Sequence, residues 1–213
     1  MNYLYVTEIL KSLQGESTYQ GIPCIFVRLS GCNLRCDYCD TKYSYETGHK
    51  KSINEIVSEV DSLKLPIVEI TGGEPLLQKN TTVLMERLLK KEKKVLLETN
   101  GSLSIEKVPA EVVKIMDIKT PSSGMADKIN IKNLDFLNKN DEIKFVLCNK
   151  NDYEWAKNFI FKYDLHEKCK ILFSGVFKVF SYSELADLIV KDNLPVRLNL
   201  QLHKIIWGEN SKK

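Results

Sequence analysis

The feature that most constrains the fold is a regular alternation of short apolar runs with stretches of helical periodicity. Most of these runs are continuously apolar, as expected of parallel strands covered on both faces. This alternation predicts an α/β fold, either a TIM-like barrel or part of one, with ligands at the carboxyl ends of the strands. The predicted strands span residues 24–31, 66–73, 94–101, 112–119, 143–149, 170–176 and 196–202.

Helix signals fall between the runs. Ser52 and Glu55 form a capping-box pattern ahead of apolar residues at helical spacing, and Ser181 with Glu184 repeats it. Further helices are expected around residues 84–89 and 155–163, whereas residues 120–140 predict only a short one. With 213 residues and no repeat or linker, we expect a single domain over 1–213.

Composition excludes several classes of protein. The chain is 43% hydrophobic and 28% charged, with a net charge of +3, which predicts neither nucleic-acid binding nor a membrane protein. The N-terminus lacks the layout of a secretory signal, so we expect a cytoplasmic location. In a reducing compartment, six cysteines indicate metal or redox chemistry rather than disulfides.

Three of these cysteines, Cys32, Cys36 and Cys39, lie within eight positions. A closed zinc site normally needs four ligands, and although His49 could supply one, no second cysteine pair follows. An iron–sulfur cluster fits better because its usual ligands are cysteine thiolates. Three thiolates leave one iron of a cubane open to a small molecule. The other cysteines, at positions 24, 148 and 169, are expected to be small core residues.

Polar and glycine-rich residues also follow successive predicted strands: "TGGEP" (71–75), "ETNG" (98–101) and "DIKTPSSGM" (117–125). Each has a plain structural interpretation, as a turn or, for Lys119, a solvated side chain. Because the carboxyl ends of parallel strands meet at one face, we expect these segments to share a site with the cysteines.

The cysteine spacing and "GGEP" resemble the radical S-adenosylmethionine (SAM) superfamily. The finer resemblance is to the 7-carboxy-7-deazaguanine synthase family of queuosine biosynthesis, and it runs nearly end to end. It implies an incomplete barrel of about six core parallel strands with a reduced set of helices, and a cluster loop at 32–48. The segments that carry it are 8–17, 24–41, 69–78, 96–102, 117–125 and 199–207.

The resemblance implies a carbon–nitrogen lyase that converts 6-carboxy-5,6,7,8-tetrahydropterin to 7-carboxy-7-deazaguanine with loss of ammonia. The implied cofactors are one [4Fe–4S] cluster, SAM that is regenerated, and Mg²⁺. The protein itself would supply placement, electrostatics and exclusion of water. A homodimer and a flavodoxin or ferredoxin as electron donor are also implied.

The resemblance also implies roles for the residues of this chain that match the family's site positions. Cys32, Cys36 and Cys39 would hold the cluster, and Thr41 would supply a hydroxyl to Mg²⁺ unless it only caps a turn. Arg28 could pair with a pterin carboxylate in bidentate fashion, or form an ordinary salt bridge. The SAM-binding candidates are Tyr38, Cys39, Asp40, Gly73, Asp117, Ile118, Lys119 and Gln201. The substrate-binding candidates are Leu13, Gln14, Gly15, Arg28 and Thr71, and His203 is a weaker candidate.

Two other classes of protein share part of this pattern. A radical SAM activase, which generates a glycyl radical on a partner protein, also combines a short chain with this cysteine spacing. It would not need "LQGES" (13–17), Arg28 or "DIKTPSSGM". A non-enzymatic electron carrier would normally use four cysteines, and a zinc-stabilised binding module would not need "GGEP".

Overall fold

Nine strands form one sheet in the computed structural model, which describes residues 2–46 and 48–209. The sheet order is β3-β1-β2-β4-β5-β6-β7-β8-β9. The strands are β1 (Tyr3–Leu13), β2 (Pro23–Leu29), β3 (His49–Ser52), β4 (Ile67–Gly72), β5 (Lys94–Thr99), β6 (Val113–Asp117), β7 (Glu142–Leu147), β8 (Lys170–Gly175) and β9 (Arg197–Leu198).

Strand β2 and strands β4 to β9 run parallel, while β1 lies antiparallel to both β2 and β3. Because β3 and β9 stand at opposite edges of the sheet, the barrel is open. The expected partial barrel is therefore confirmed. The expected domain and cluster loop include residues 1, 47 and 210–213, which lie outside the described residues.

Four helices of nine residues or more cover the outside of the sheet, and two short ones follow α3 and β9. The capping box of Ser52 and Glu55 forms as predicted and starts the first helix. Ser181 accepts a hydrogen bond from Glu184 N at the start of the fifth. The helices are α1 (Ile53–Ser62), α2 (Thr81–Leu89), α3 (Lys150–Lys162), α4 (Leu165–Lys168), α5 (Tyr182–Lys191) and α6 (Leu202–Trp207).

Two hydrophobic clusters fill the space between helices and sheet. Helices α1 and α2 pack on strands β1 to β5 through residues such as Ile56, Leu84 and Ile70, all fully buried. Helices α3 to α5 pack on β6 to β8 around Phe145 and Phe173, whose rings meet edge to face with centroids 5.6 Å apart. With the outer face so occupied, the inner face of the sheet is left for polar side chains.

The loop between β1 and β2 crosses to the far half of the open barrel. Thr18 donates hydrogen bonds from its amide and hydroxyl to the buried carboxylate of Glu142 on β7. Tyr19 packs against a small inner cluster that includes Leu96 and Val113, near the amino ends of β5 and β6. This loop therefore closes the barrel at the amino ends of its strands.

Sequence and structure differ mainly at the sheet edges. Strands β1 and β3 were not predicted, and the strand expected over 196–202 is wrong except for Arg197–Leu198. Both of those residues are exposed at the sheet edge, and α6 begins at Leu202. Residues 120–140 hold only short 3-10 helices, in agreement with their weak helix signal.

Candidate functional site

A cavity of about 240 Å³ lies inside the barrel, at the carboxyl ends of its strands. Its wall includes the ends of β4, β5 and β6, the cysteine loop after β2, and the segment that ends in α6. Of the sequence-predicted site residues, all but one line this cavity. They are Leu13, Gln14, Gly15, Arg28, Cys32, Cys36, Tyr38, Cys39, Asp40, Thr41, Thr71, Gly73, Asp117, Lys119, Gln201 and His203.

The exception is Ile118, whose side chain is fully buried in the core formed with α3 to α5. Its amide donates to the carbonyl of Lys144, 2.9 Å away. Alternation along β6 explains this position, because Asp117 and Lys119 point into the barrel and the residue between them points out. Only backbone atoms of Ile118 could contact a ligand.

The cysteine loop brings three thiols to the cavity wall. Cys39 N donates to Cys36 O over 3.2 Å. The Arg35 guanidinium donates to the carbonyls of Cys32 and Leu34 and lies 4.4 Å from the centre of the Tyr45 ring. Arg35 therefore fixes the loop from outside, so that the thiols face inward.

The donor set fits an iron–sulfur cluster. Burial raises the pKa of the Cys32 and Cys36 thiols, so their thiolates need a bound cation to be stable. Within residues 2–46 and 48–209, no three His, Cys, Asp or Glu side chains converge as ligands of one metal ion. A cluster needs wider spacing, because each thiolate binds a different iron. Cys24 and Cys169 are buried elsewhere, and Cys148 does not line the cavity.

The glycines of "TGGEP" allow the end of β4 to touch the cysteine loop. A Cβ on Gly73 would stand 2.2 Å from Gly31 O and 2.8 Å from Cys32 Cβ, closer than real contacts allow. Glu74 is fully buried and accepts from Thr99 Oγ1 (2.9 Å) and Asn100 N (2.7 Å). These hydrogen bonds tie the ends of two strands together beneath the loop. Burial also raises the pKa of Glu74.

Three of the SAM-binding candidates, Tyr38, Asp117 and Lys119, form one polar group in the wall of the cavity. Lys119 pairs with Asp117 at 2.8 Å, and Tyr38 donates its hydroxyl to Val146 O at 3.1 Å. Burial raises the pKa of Tyr38. Lys119 keeps its charge: desolvation acts to lower its pKa, but Asp117 overrides that and raises it. The result is a charged pair beside a phenol, close to the cysteines.

The substrate-binding candidates include three polar side chains, which lie on β2, on β4 and in the loop after β1. Arg28 donates from Nε to Glu8 Oε1 at 2.8 Å, so it forms the salt bridge that was the alternative to a ligand contact, and it also lines the cavity. Thr71 donates its hydroxyl to Glu98 Oε2 at 3.2 Å, and the Gln14 amide donates to Glu69. These side chains are thus held in place by carboxylates beneath them.

Sequence reasoning missed that carboxylate layer. Lys144 Nζ lies 2.5 Å from both Glu16 Oε2 and Glu98 Oε1, and 3.7 Å from Asp117 Oδ2, with its side chain only 5% exposed. Desolvation acts to raise the pKa of Glu16, but Lys144 overrides it and the pKa is lowered. Burial, together with neighbouring Glu98, raises the pKa of Glu69 well above its usual range. The available signal was a charged residue inside an apolar strand: "IVEIT", "LLET", "IKFVL".

Thr41 sits at the mouth of the cavity in a chain of polar contacts. Its hydroxyl donates to Asp40 Oδ1 at 2.9 Å, and Asp40 Oδ2 pairs with Lys204 Nζ of α6 at 2.6 Å. Desolvation acts to raise the pKa of Asp40, but Lys204 overrides it, and the pKa falls to about 2. The one hydrogen of the hydroxyl is committed, and its oxygen lone pairs remain available to a hard cation.

Comparison with known proteins gives three kinds of match. The family model of the Radical SAM superfamily matches residues 26–118. The 7-carboxy-7-deazaguanine synthase of Koribacter versatilis is 46% identical, over 98% of this chain and 99% of that protein. The protein of that name from Chlorobaculum tepidum is 43% identical, over 98% and 96%.

Solved structures share the fold. The crystal structure of QueE from Escherichia coli superposes with a TM-score of 0.80 at 21% identity, covering 94% of this chain and 95% of that one. SuiB from Streptococcus suis superposes with a TM-score of 0.59 at 15% identity, covering 82% of this chain and 47% of that one. The likeness to QueE spans both chains nearly completely.

Proposed function

The chain belongs to the 7-carboxy-7-deazaguanine synthase family of the radical SAM superfamily, and we propose that it forms 7-carboxy-7-deazaguanine from 6-carboxy-5,6,7,8-tetrahydropterin with loss of ammonia. It is a lyase of 7-deazapurine biosynthesis. One observation carries the proposal: the three loop cysteines line the same cavity as Gln14, Arg28 and Thr71. The names of its relatives favour this synthase over an activase.

Membership of the superfamily implies SAM and one [4Fe–4S] cluster. When bound, this pair supplies the one-electron chemistry that begins the reaction by hydrogen abstraction, and SAM is regenerated at its end. In our proposal Cys32, Cys36 and Cys39 hold the cluster. Tyr38, the Asp117–Lys119 pair, Gly73 and Gln201, together with backbone atoms of Cys39, Asp40 and Ile118, form the SAM side of the cavity.

The substrate side is built to hold an anion and to exclude water. The Arg28 guanidinium would bind the pterin carboxylate, and its bond to Glu8 keeps the side chain oriented. Gln14 and Thr71 would bond the ring edge, backed by Glu69 and Glu98, while Leu13 and Gly15 would close the wall. Lys144 offsets one of the two negative charges of Glu16 and Glu98, which reduces the repulsion between the layer beneath the substrate and the substrate anion.

Mg²⁺ is a further part of the proposal, held by Thr41. Since the described residues offer no cluster of three His, Cys, Asp or Glu for one ion, the remaining ligands would be substrate oxygens and water, as magnesium prefers. We also propose a homodimer, a flavodoxin or ferredoxin as electron donor, and a cytoplasmic location. The last is supported by six unpaired cysteines. In the described part of the chain, no helix is both long and apolar enough to span a bilayer.

The deciding experiment is an anaerobic incubation of the reconstituted protein with SAM, Mg²⁺, dithionite and 6-carboxytetrahydropterin, followed by mass analysis. We expect 7-carboxy-7-deazaguanine, with SAM undiminished. SAM cleavage without this product would contradict the proposal. A glycyl radical appearing on an added partner protein would support the activase instead.

The magnesium assignment is tested by Thr41→Ala against Thr41→Ser, which keeps the hydroxyl. We expect the alanine variant to lose turnover and most of its response to Mg²⁺, and the serine variant to keep both. Iron content and uncoupled SAM cleavage should be the same in the two. An alanine variant with wild-type turnover and magnesium response would reduce Thr41 to a turn residue.

A further inference from the structure

The end of the described chain is tied to two different walls of the cavity. Gln201 donates to Glu16 Oε1 at 3.0 Å, and Leu202 N donates to Gly15 O at 2.9 Å. Two residues on, Lys204 reaches the segment that follows the loop cysteines. Lys204 as a whole is only 9% exposed, and its ammonium lies 2.6 Å from Asp40 Oδ2. A buried lysine stem therefore delivers one positive charge to the mouth of the cavity.

Asp40 is the carboxylate next to Thr41, and its side chain is 49% exposed. Carboxylate oxygens are strong ligands of Mg²⁺. Left alone, this exposed carboxylate would attract a divalent cation arriving at Thr41. Here one of its oxygens binds the Lys204 ammonium and the other accepts from the Thr41 hydroxyl. Each oxygen has one partner, and the ammonium charge of Lys204 offsets the charge of the carboxylate.

We propose that Lys204 withholds Asp40 from the metal, so that Mg²⁺ binds at Thr41 only together with the substrate. This inference rests on the proposed function. With Asp40 neutralised, the free enzyme offers a cation one hydroxyl oxygen, and a single neutral ligand is too few for Mg²⁺. The anionic carboxylate of the substrate supplies the missing charge and oxygen. Lys204 is thus a positioning residue that makes metal binding conditional on substrate.

The alternative role for Lys204 is purely structural, anchoring α6 to the cysteine loop. The two roles predict opposite changes in metal affinity when Lys204 is replaced. Loss of an anchor would loosen the Thr41 site and weaken metal binding, whereas loss of a neutralising charge would free a carboxylate and strengthen it without substrate.

The experiment titrates Mn²⁺, as a paramagnetic substitute for Mg²⁺, into the reconstituted full-length protein with SAM and without reductant. Free Mn²⁺ is measured by electron paramagnetic resonance, with and without 6-carboxytetrahydropterin. For the wild type we expect weak binding that tightens markedly when the substrate is added. For Lys204→Met we expect binding without substrate to tighten by about tenfold or more, as for the loss of a neighbouring charge at close range.

Three further variants isolate the cause. Lys204→Arg, which keeps the charge, should restore dependence on the substrate. Lys204→Met combined with Asp40→Asn should bind as weakly as the wild type without substrate. Lys157→Met removes a lysine that lies 2.7 Å from Asp192, the residue after the last of α5 and away from the cavity, and should leave Mn²⁺ binding unchanged.

Several results would overturn the inference. They are Mn²⁺ binding to Lys204→Met that is unchanged or weaker without substrate, tighter binding that persists in the double variant, or wild-type binding indifferent to substrate. If Lys204→Met does not load its cluster, Lys204→Gln is titrated with the same expectation. Product formation by the wild type is measured separately: its absence overturns the proposed function, whatever the titration gives.

Discussion

Lys144→Met tests whether the buried ion network holds the site together. Lys144 is 5% exposed at its side chain and contacts two carboxylates at 2.5 Å. Methionine fills similar space without the charge, leaving Glu16 and Glu98, which are 17% and 28% exposed, without their ion pair. Removal of one partner from a buried ion pair costs about 3–5 kcal/mol. For a chain of this size, that predicts a fall in Tm of roughly 6–20 °C.

Lys157→Met is a matched control. Lys157 also contacts two carboxylates, Glu154 at 2.9 Å and Asp192 at 2.7 Å, but the lysine is 24% exposed, against 5% for Lys144, and the carboxylates are 55% and 23% exposed. An exposed pair contributes about 1 kcal/mol or less. The two variants therefore make the same chemical change with the same number of partners and differ in burial.

The assay is anaerobic urea unfolding of wild type and both variants, each loaded with cluster, followed by circular dichroism at several pH values. Because Lys144 lowers the pKa of Glu16, that contribution is present above about pH 4.5 and is lost as the pH falls through the lowered pKa. The difference between wild type and Lys144→Met should therefore be larger at pH 8 than at pH 4. Equal losses in the two variants, or a loss independent of pH, would refute the reasoning.

Three other substitutions probe separate parts of the site. Cys36→Ala should lose most of the iron and all turnover, whereas Cys169→Ala, at a position buried in the core, should keep its iron. Cluster absorption that persists in Cys36→Ala, or is lost from Cys169→Ala, would contradict the three-ligand assignment. Gly73→Ala should lower iron content, because its Cβ would meet Gly31 O at 2.2 Å, and full cluster loading would show that the loop can shift. Glu69→Gln mimics a protonated carboxyl. Since burial raises the pKa of Glu69, its stabilising contribution is present below about pH 4.5 and lost as the pH rises toward the raised value, so the variant should gain stability over the wild type at pH 7 but not at pH 4. Equal urea midpoints of variant and wild type at pH 7 would disprove a raised pKa for Glu69.

The parts of the fold that sequence predicted are those that local patterns specify. Apolar runs located β2 and β4 to β8 because most residues of these strands are buried. Strand β1 escaped because its residues are mostly half-buried, and lysine and glutamate interrupt its apolar pattern. The segment 196–202 alternates like a strand, yet it turns into α6 after two paired residues. At an exposed edge the pattern alone cannot choose between these structures.

The residues of the site likewise fall into those that a local sequence pattern reveals and those that it does not. The loop cysteines and the strand-end glycines are grouped in sequence, so their spacing reveals them. Lys144 is 46 positions from Glu98 and 128 from Glu16, and Lys204 is similarly remote from Asp40. Each charge in an apolar strand signals that a partner must exist, but the identity of that partner depends on the register of the sheet and on where the last helix docks.

The open barrel has a consequence for how the protein is made. Gln20 donates to the carbonyl of Leu200 across 180 positions of sequence, at 2.6 Å, and Gln201 reaches back to Glu16. Domains fold as the chain emerges from the ribosome, amino end first. The strands from β1 to β8 can therefore assemble while the residues that complete the cavity are still being added. Because contacts this distant in sequence form late, the wall around the substrate is among the last parts of the molecule to exist, and a chain terminated before residue 200 would keep the cysteine loop but have no enclosed place for its chemistry.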